Sequence, residues 1–123
     1  MLVIRRKMEW NKKTTAGETA DEYNFTTTVG LTEEEAIRYI ADFYGPINQL
    51  HQLEEECCEL ALEASHSARE KSMKIGLIEE VADVEIMIAQ VKHLFSICED
   101  DIKEVKEEKL QRQLDRIIKE VER

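Results

Sequence analysis

The sequence predicts an all-α protein: a four-helix bundle, oligomeric, behind an irregular N-terminal arm. Three observations carry that expectation. Four Gly and one Pro in 123 residues are too few turns for a β protein. Charged residues make up 36% of the chain with a formal net charge of -10, a composition suited to long helices with charged outer faces. From Ala36 onward, apolar residues recur at helical spacing. A chain of 123 residues fits one domain. At this size folding buries roughly two thirds of the unfolded surface, enough for a single core.

Residues 1–31 form the arm, Thr-rich, polar and without helical period. Val3, Trp10, Tyr23, Phe25 and Val29 are its candidates for docking on the body, as short extended pieces. Arg5, Arg6, Lys7, Lys12 and Lys13 make a basic patch there, which reads more readily as a solvated arm than as a binding site. Residues 32–123 are the helical domain.

Thr32-Glu33-Glu34-Glu35 has the form of a capping box and opens a first helix over 33–44. Ala36, Ile37, Ile40, Phe43 and Tyr44 form its apolar stripe. Gly45-Pro46 ends it, and Pro46 fits the first turn of a second helix over 46–71. In that helix Leu50, Leu53, Cys57, Leu60, Ala61 and Ala64 form the core-facing stripe, with Glu56, Glu59 and Glu63 in a row along its edge. Residues 72–76 read as a loop. A third helix is expected over 77–98, its main stripe running Leu77, Val81, Val84, Ile88, Val91, Phe95 and Cys98. Ala82, Ile86, Ala89 and Ile97 make its other side apolar too. A helix apolar nearly all round is buried, which in so small a chain points to a subunit interface. Glu99-Asp100-Asp101 places acids at the N-terminus of a fourth helix, to 121. Ile102, Val105, Leu110, Leu114, Ile117, Ile118 and Val121 give its stripe, beside a face of Lys106, Lys109, Arg112 and Arg116.

The acidic balance argues against nucleic-acid backbones as partners, because phosphates need a cationic footprint. It leaves nucleotides open, since a bound metal reverses the local sign. No apolar run reaches the length of a membrane span. Met1-Leu2-Val3-Ile4 followed by basic residues has the wrong order for a signal peptide, so a cytoplasmic protein is expected. Cys57, Cys58 and Cys98 cannot all pair, and reduced core cysteines are the simpler account.

The chemistry concentrates in two carboxylate pairs, Glu56-x-x-Glu59 and Glu80-x-x-Asp83. Residues three apart on a helix share a face. Four clustered carboxylates repel one another unless a cation sits among them, and an all-oxygen set suits Mg²⁺, with Mn²⁺ an alternative. Glu80 falls within an apolar stripe beside Leu77, Val84 and Met87, where a lone carboxylate is costly or stays protonated.

The order Glu-x-x-Glu, 20 intervening residues, then Glu-x-x-Asp resembles the MazG family of all-α nucleoside triphosphate pyrophosphohydrolases. Glu55-Glu56-Cys57-Cys58-Glu59-Leu60-Ala61 looks like the family's first motif and Glu79-Glu80-Val81-Ala82-Asp83-Val84 like its second. Lys109-x-x-Arg112-x-Leu114 resembles its basic C-terminal segment, and the likeness spans about residues 36–120. Many members carry an Asn shortly before the basic Lys, a place where this chain has Glu107. The resemblance implies that Glu56, Glu59, Glu80 and Asp83 bind Mg²⁺ and serve catalysis, one of them, Glu59 for example, acting on the water. It implies hydrolysis of a (d)NTP to the monophosphate and pyrophosphate, for nucleotide-pool sanitation. Lys109 and Arg112 would hold the phosphate tail, and Phe43, Tyr44 and Asn48 the base. A homodimer or homotetramer is implied, with partner helices completing the pocket.

Blander readings stand beside these. Lys109 and Arg112 could be helix-surface partners of Glu108 or Asp115. Phe43 and Tyr44 could be core or interface. Glu63 reads more readily as a surface acid than as support for the metal ligands, and His51, His66 and His93 as surface residues. Glu63-Ala-Ser-His66 has a di-iron spacing but lacks the required second Glu-x-x-His. The rival functions are a phosphoribosyl-ATP pyrophosphohydrolase, which shares the acidic motifs, and a non-catalytic helical oligomerisation or regulatory module.

Overall fold

A computed structural model describes residues 25–69 and 74–123 of the chain. Its helices are α1 (Glu33–Tyr44), α2 (Pro46–Arg69), α3 (Lys74–Leu94) and α4 (Glu99–Val121). Among the described residues there is no strand, only one isolated antiparallel bridge between Thr26 and Thr32. The chain is therefore all-α. It divides into two compact units, residues 1–33 and 34–123.

Within the first unit, Thr27 organises a tight turn. Its N–H donates to the Leu31 carbonyl at 2.8 Å, and its hydroxyl accepts from the Leu31 N–H at 3.0 Å. Gly30 supplies the left-handed residue, at φ 84°. Val3, Trp10, Tyr23 and the basic patch of Arg5, Arg6, Lys7, Lys12 and Lys13 lie outside the described residues.

In the second unit, α1 stops where Gly45 takes φ 84° and donates to the Ala41 carbonyl at 2.9 Å. Pro46 then opens α2, its fixed φ suited to a first turn. Two boundaries differ from expectation. Helix α3 begins at Lys74, so Gly76 lies in its first turn and not in a loop. It also ends at Leu94, not at residue 98. There Ser96 adopts φ 50°, its N–H donates to the His93 carbonyl at 3.4 Å, and the Ile97 N–H donates to the Lys92 carbonyl at 2.9 Å. These are the two bonds of a Schellman stop, with Ser in the position Gly usually takes. Phe95, Ile97 and Cys98 therefore belong to the connection to α4. Cys98 is the N-cap of α4 and gives no side-chain cap bond. The first-turn acids Glu99, Asp100 and Asp101 suit the helix dipole, and Glu99 pairs with Lys92 at 2.8 Å.

Helices α2 and α3 run antiparallel and form the close helix–helix packing of the described residues. Their seam is polar. Gln49 and Gln90, 5% and 2% exposed, meet through an Nε2–Oε1 bond of 2.5 Å. Among the described residues the buried hydrophobics are Ala41 and Met87. The stripe expected to face the core of α2 is half-buried at Leu50, Leu53 and Leu60 but exposed at Cys57, Ala61 and Ala64. The face turned to α3 instead runs Gln49, Gln52, Glu56, Leu60, Glu63 and Ser67, a quarter-turn away. All three cysteines are free and exposed, so the core placement expected of them fails within one chain. Helix α1 is tied to α3 by His93 Nε2 and Asp42 Oδ1, 2.8 Å apart. Helix α4 buries no residue, and Leu110, Leu114, Ile117, Ile118 and Val121 along it are all exposed. No described helix is long and apolar enough to cross a membrane.

Candidate metal centre

The polar seam is where the acids meet. Glu56 and Glu59 project from adjacent turns of α2, and Glu80 comes from α3. One carboxylate oxygen from each lies within 4.8 Å of the other two. Glu56 and Glu80 are half-buried and Glu59 is exposed. Gln52 Nε2 donates to Glu56 Oε1 at 2.9 Å, yet Glu56 Oε2 and Glu80 Oε2 are buried without a hydrogen-bond partner. A buried carboxylate oxygen left unpaired is costly.

The electrostatics agree with this crowding. The neighbouring Glu56 charge is the largest influence raising the Glu59 carboxyl above its usual range. A hydrogen bond with Glu56, the Glu80 charge, desolvation and the Asp83 charge add to it. Desolvation is the largest influence raising Glu80, followed by the charges of Asp83, Glu56 and Glu63, while a hydrogen bond with Glu59 opposes them. Asp83 is exposed and lies outside the three-oxygen group, but its charge acts on both Glu59 and Glu80.

Glu63 departs from the surface role expected of it. Its side chain is 18% exposed, and its Oε1 is buried without a partner. His66 Nδ1 stands 3.9 Å from Oε2. The spacing held the signal, since Glu56, Glu59 and Glu63 share one face of α2. What it could not show is that this face turns toward α3.

The other expected site residues lie elsewhere on the helices. Phe43 and Tyr44 close α1, 72% and 54% exposed, with ring centroids 5.0 Å apart in an edge-on arrangement at 89°. Asn48 is exposed in the first turn of α2. Lys109 and Arg112 are exposed on α4. Neither has an ion pair among the described residues, and Asp115 accepts from Gln111 Nε2 at 3.0 Å instead. Helix α4 does not pack closely on the α2–α3 pair, so one chain does not assemble these cations with the acids. Of the histidines, His51 is exposed beside Glu54, while His93 is half-buried through its bond to Asp42.

The donor set fits a hard divalent cation. It is all carboxylate oxygen, drawn from two helices, with two oxygens lacking any other partner. Its open side would leave room for the waters that Mg²⁺ retains. Compared with protein-family models, curated proteins and solved structures, the chain matches none.

Proposed function

We propose that this chain is a Mg²⁺-dependent nucleoside triphosphate pyrophosphohydrolase of the MazG-like kind. It splits a (d)NTP into the (d)NMP and pyrophosphate, in the cytoplasm, as a means of clearing unwanted nucleotides. The observation carrying this reading is the approach of Glu56, Glu59 and Glu80 across the α2–α3 seam with orphaned buried oxygens. Bound Mg²⁺, or Mn²⁺ in its place, supplies neutralisation of phosphate oxygens and a water more easily deprotonated.

The protein's own part is positioning and charge. Glu56, Glu59, Glu80 and Asp83 would hold the cation, the first three being the acids whose oxygens converge. In the reaction the elements of water are added across the α–β phosphoanhydride. A new P–O bond forms, the bridging bond breaks, and a carboxylate takes the water's proton. Glu59, exposed and raised by its neighbours, suits that last role. Lys109 and Arg112 remain free of ion pairs among the described residues and are available to a phosphate tail. Because α4 is unpacked, the working form in this reading is a homodimer or homotetramer. The exposed Phe43 and Tyr44, with Asn48, take the base.

The test is pyrophosphate release from the four NTPs and four dNTPs, with and without Mg²⁺. Metal-dependent release of monophosphate and pyrophosphate in equal amounts is the expected result. No release from any of them at high protein concentration overturns the reading in favour of a helical oligomerisation module. Release from phosphoribosyl-ATP alone overturns the substrate assignment.

A further inference from the structure

Glu63 and Gly76 face each other across the seam at the end of the acidic cluster nearest the α2–α3 connection. Two features of this contact lack a structural explanation. Glu63 Oε1 is buried with no hydrogen-bond partner, and its side chain is only 18% exposed. Among the described residues its basic neighbour is His66, whose Nδ1 is 3.9 Å from the other oxygen and is charged only if protonated. An acid so placed is costly on its own and is expected to turn outward to water.

Gly76 is the second feature. It sits in the first turn of α3, where Ala would be better by about 1 kcal/mol. Its φ is an ordinary helical one, so the backbone does not demand Gly. Space does. A Cβ at residue 76 would collide with Glu63 Oε1 and come within 2.7 Å of Glu63 Cδ. The missing side chain makes the hollow that the Glu63 carboxylate fills. Glu80, one turn further along α3, feels the Glu63 charge directly.

We propose that Glu63 is a positioning residue of the cation centre, seated through the gap at Gly76. Resting on the functional reading above, its role is to face the centre as an outer acceptor for water held by the cation. It lies outside the group of three oxygens that approach within 4.8 Å, which suits an outer position. Mg²⁺ keeps several of its waters, and those waters need acceptors. Outer groups of this kind typically change metal affinity by 10- to 100-fold. The inward carboxylate and the glycine opposite it then have one common cause.

The experiment is calorimetric titration of the full chain with MnCl₂ and MgCl₂, without nucleotide. Four proteins are compared: wild type, Glu63→Gln, Gly76→Ala and Glu85→Gln. Glu85 is an exposed acid of α3 and controls for loss of one negative charge. Glu63→Gln and Gly76→Ala are each expected to weaken Mn²⁺ binding by roughly 10-fold. Glu85→Gln is expected to stay within about twofold of wild type, as a screened surface charge. Melting of the metal-free proteins separates this from a packing role. Gly76→Ala displaces only the far end of a flexible side chain and gains helix propensity, so its metal-free Tm should hold or rise while its affinity falls. Wild-type affinity in both Glu63→Gln and Gly76→Ala overturns the proposal, and so does an equal loss in Glu85→Gln. A wild type that binds neither ion overturns the functional reading first, and this inference with it.

Discussion

Glu80 is the residue on which the site turns. Its sequence neighbours on the stripe are apolar, and the structure buries one of its oxygens without a partner. Glu80→Gln removes the charge a cation needs while keeping the side chain's shape. We expect it to abolish Mg²⁺-dependent pyrophosphate release, by at least 10²-fold, with far-UV circular dichroism unchanged. Full turnover in the variant removes Glu80 from the chemistry. The same crowding predicts how stability depends on pH. Glu59 and Glu80 have folded-state pKa values above the ordinary 4.5, so the folded chain holds protons more tightly than the unfolded one. By linkage their contribution is fully present below about pH 4.5 and is lost as pH rises through their folded values. Glu99 is shifted the opposite way by Lys92, so its contribution is lost only as pH falls below the ordinary carboxylate range. The metal-free Tm is therefore expected to fall as pH rises from about 4.5 toward neutrality, and saturating Mg²⁺ should flatten that slope. A metal-free Tm that rises steadily over this interval contradicts the crowding.

At the level of elements, what the sequence made legible follows from which signals are local. The start of α1 after Thr32, the Gly45-Pro46 break and the first-turn acids of α4 all act within one turn, and each stands where the pattern places it. The end of α3 was hidden because Ser96 does the work of a glycine. A non-Gly residue at φ 50° gives no composition signal, and the apolar run continues past it to Cys98. The face of α2 was misjudged for another reason. Hydrophobic spacing assumes that the apolar side packs inward, whereas here Gln49, Glu56 and Glu63 occupy the seam. Ser96 also yields a direct prediction. Left-handed backbone costs an L-residue roughly 1–2 kcal/mol and glycine much less. Ser96→Gly is expected to stabilise the fold by about 0.5–1 kcal/mol, raising Tm by a few degrees. Chemical denaturation checks it, and a lower midpoint in the variant would contradict the strained stop.

The described residues carry more apolar surface than the packing among them covers. Two buried hydrophobic residues among those described are a small core, and a helix with an exposed apolar stripe draws most of its stability from packing that stripe. Helix α4 needs a cover for Leu110, Leu114, Ile117 and Ile118. The all-round apolar α3 leaves Ile78, Val81, Ile86 and Ile88 exposed in the same molecule. A second copy could satisfy both faces at once, because a two-fold interface presents the same patches twice. It would also decide whether Lys109 and Arg112 reach the acids of a neighbouring chain, since their own chain leaves α4 apart. On this view Leu114→Glu acts twice per dimer. Burying one leucine is worth about 1.5–3 kcal/mol, so the pair of changes weakens association by 10²-fold or more. Sedimentation of the wild type should give a multiple of 14.3 kDa, and the variant should dissociate on dilution with loss of helical signal from α4. Lys109→Ala, by contrast, should leave the assembly and Mn²⁺ binding intact while raising KM for the nucleotide. A wild type that sediments as a fully helical 14.3 kDa monomer would break the link between the exposed stripe and the function, because α4 would then stand without a cover.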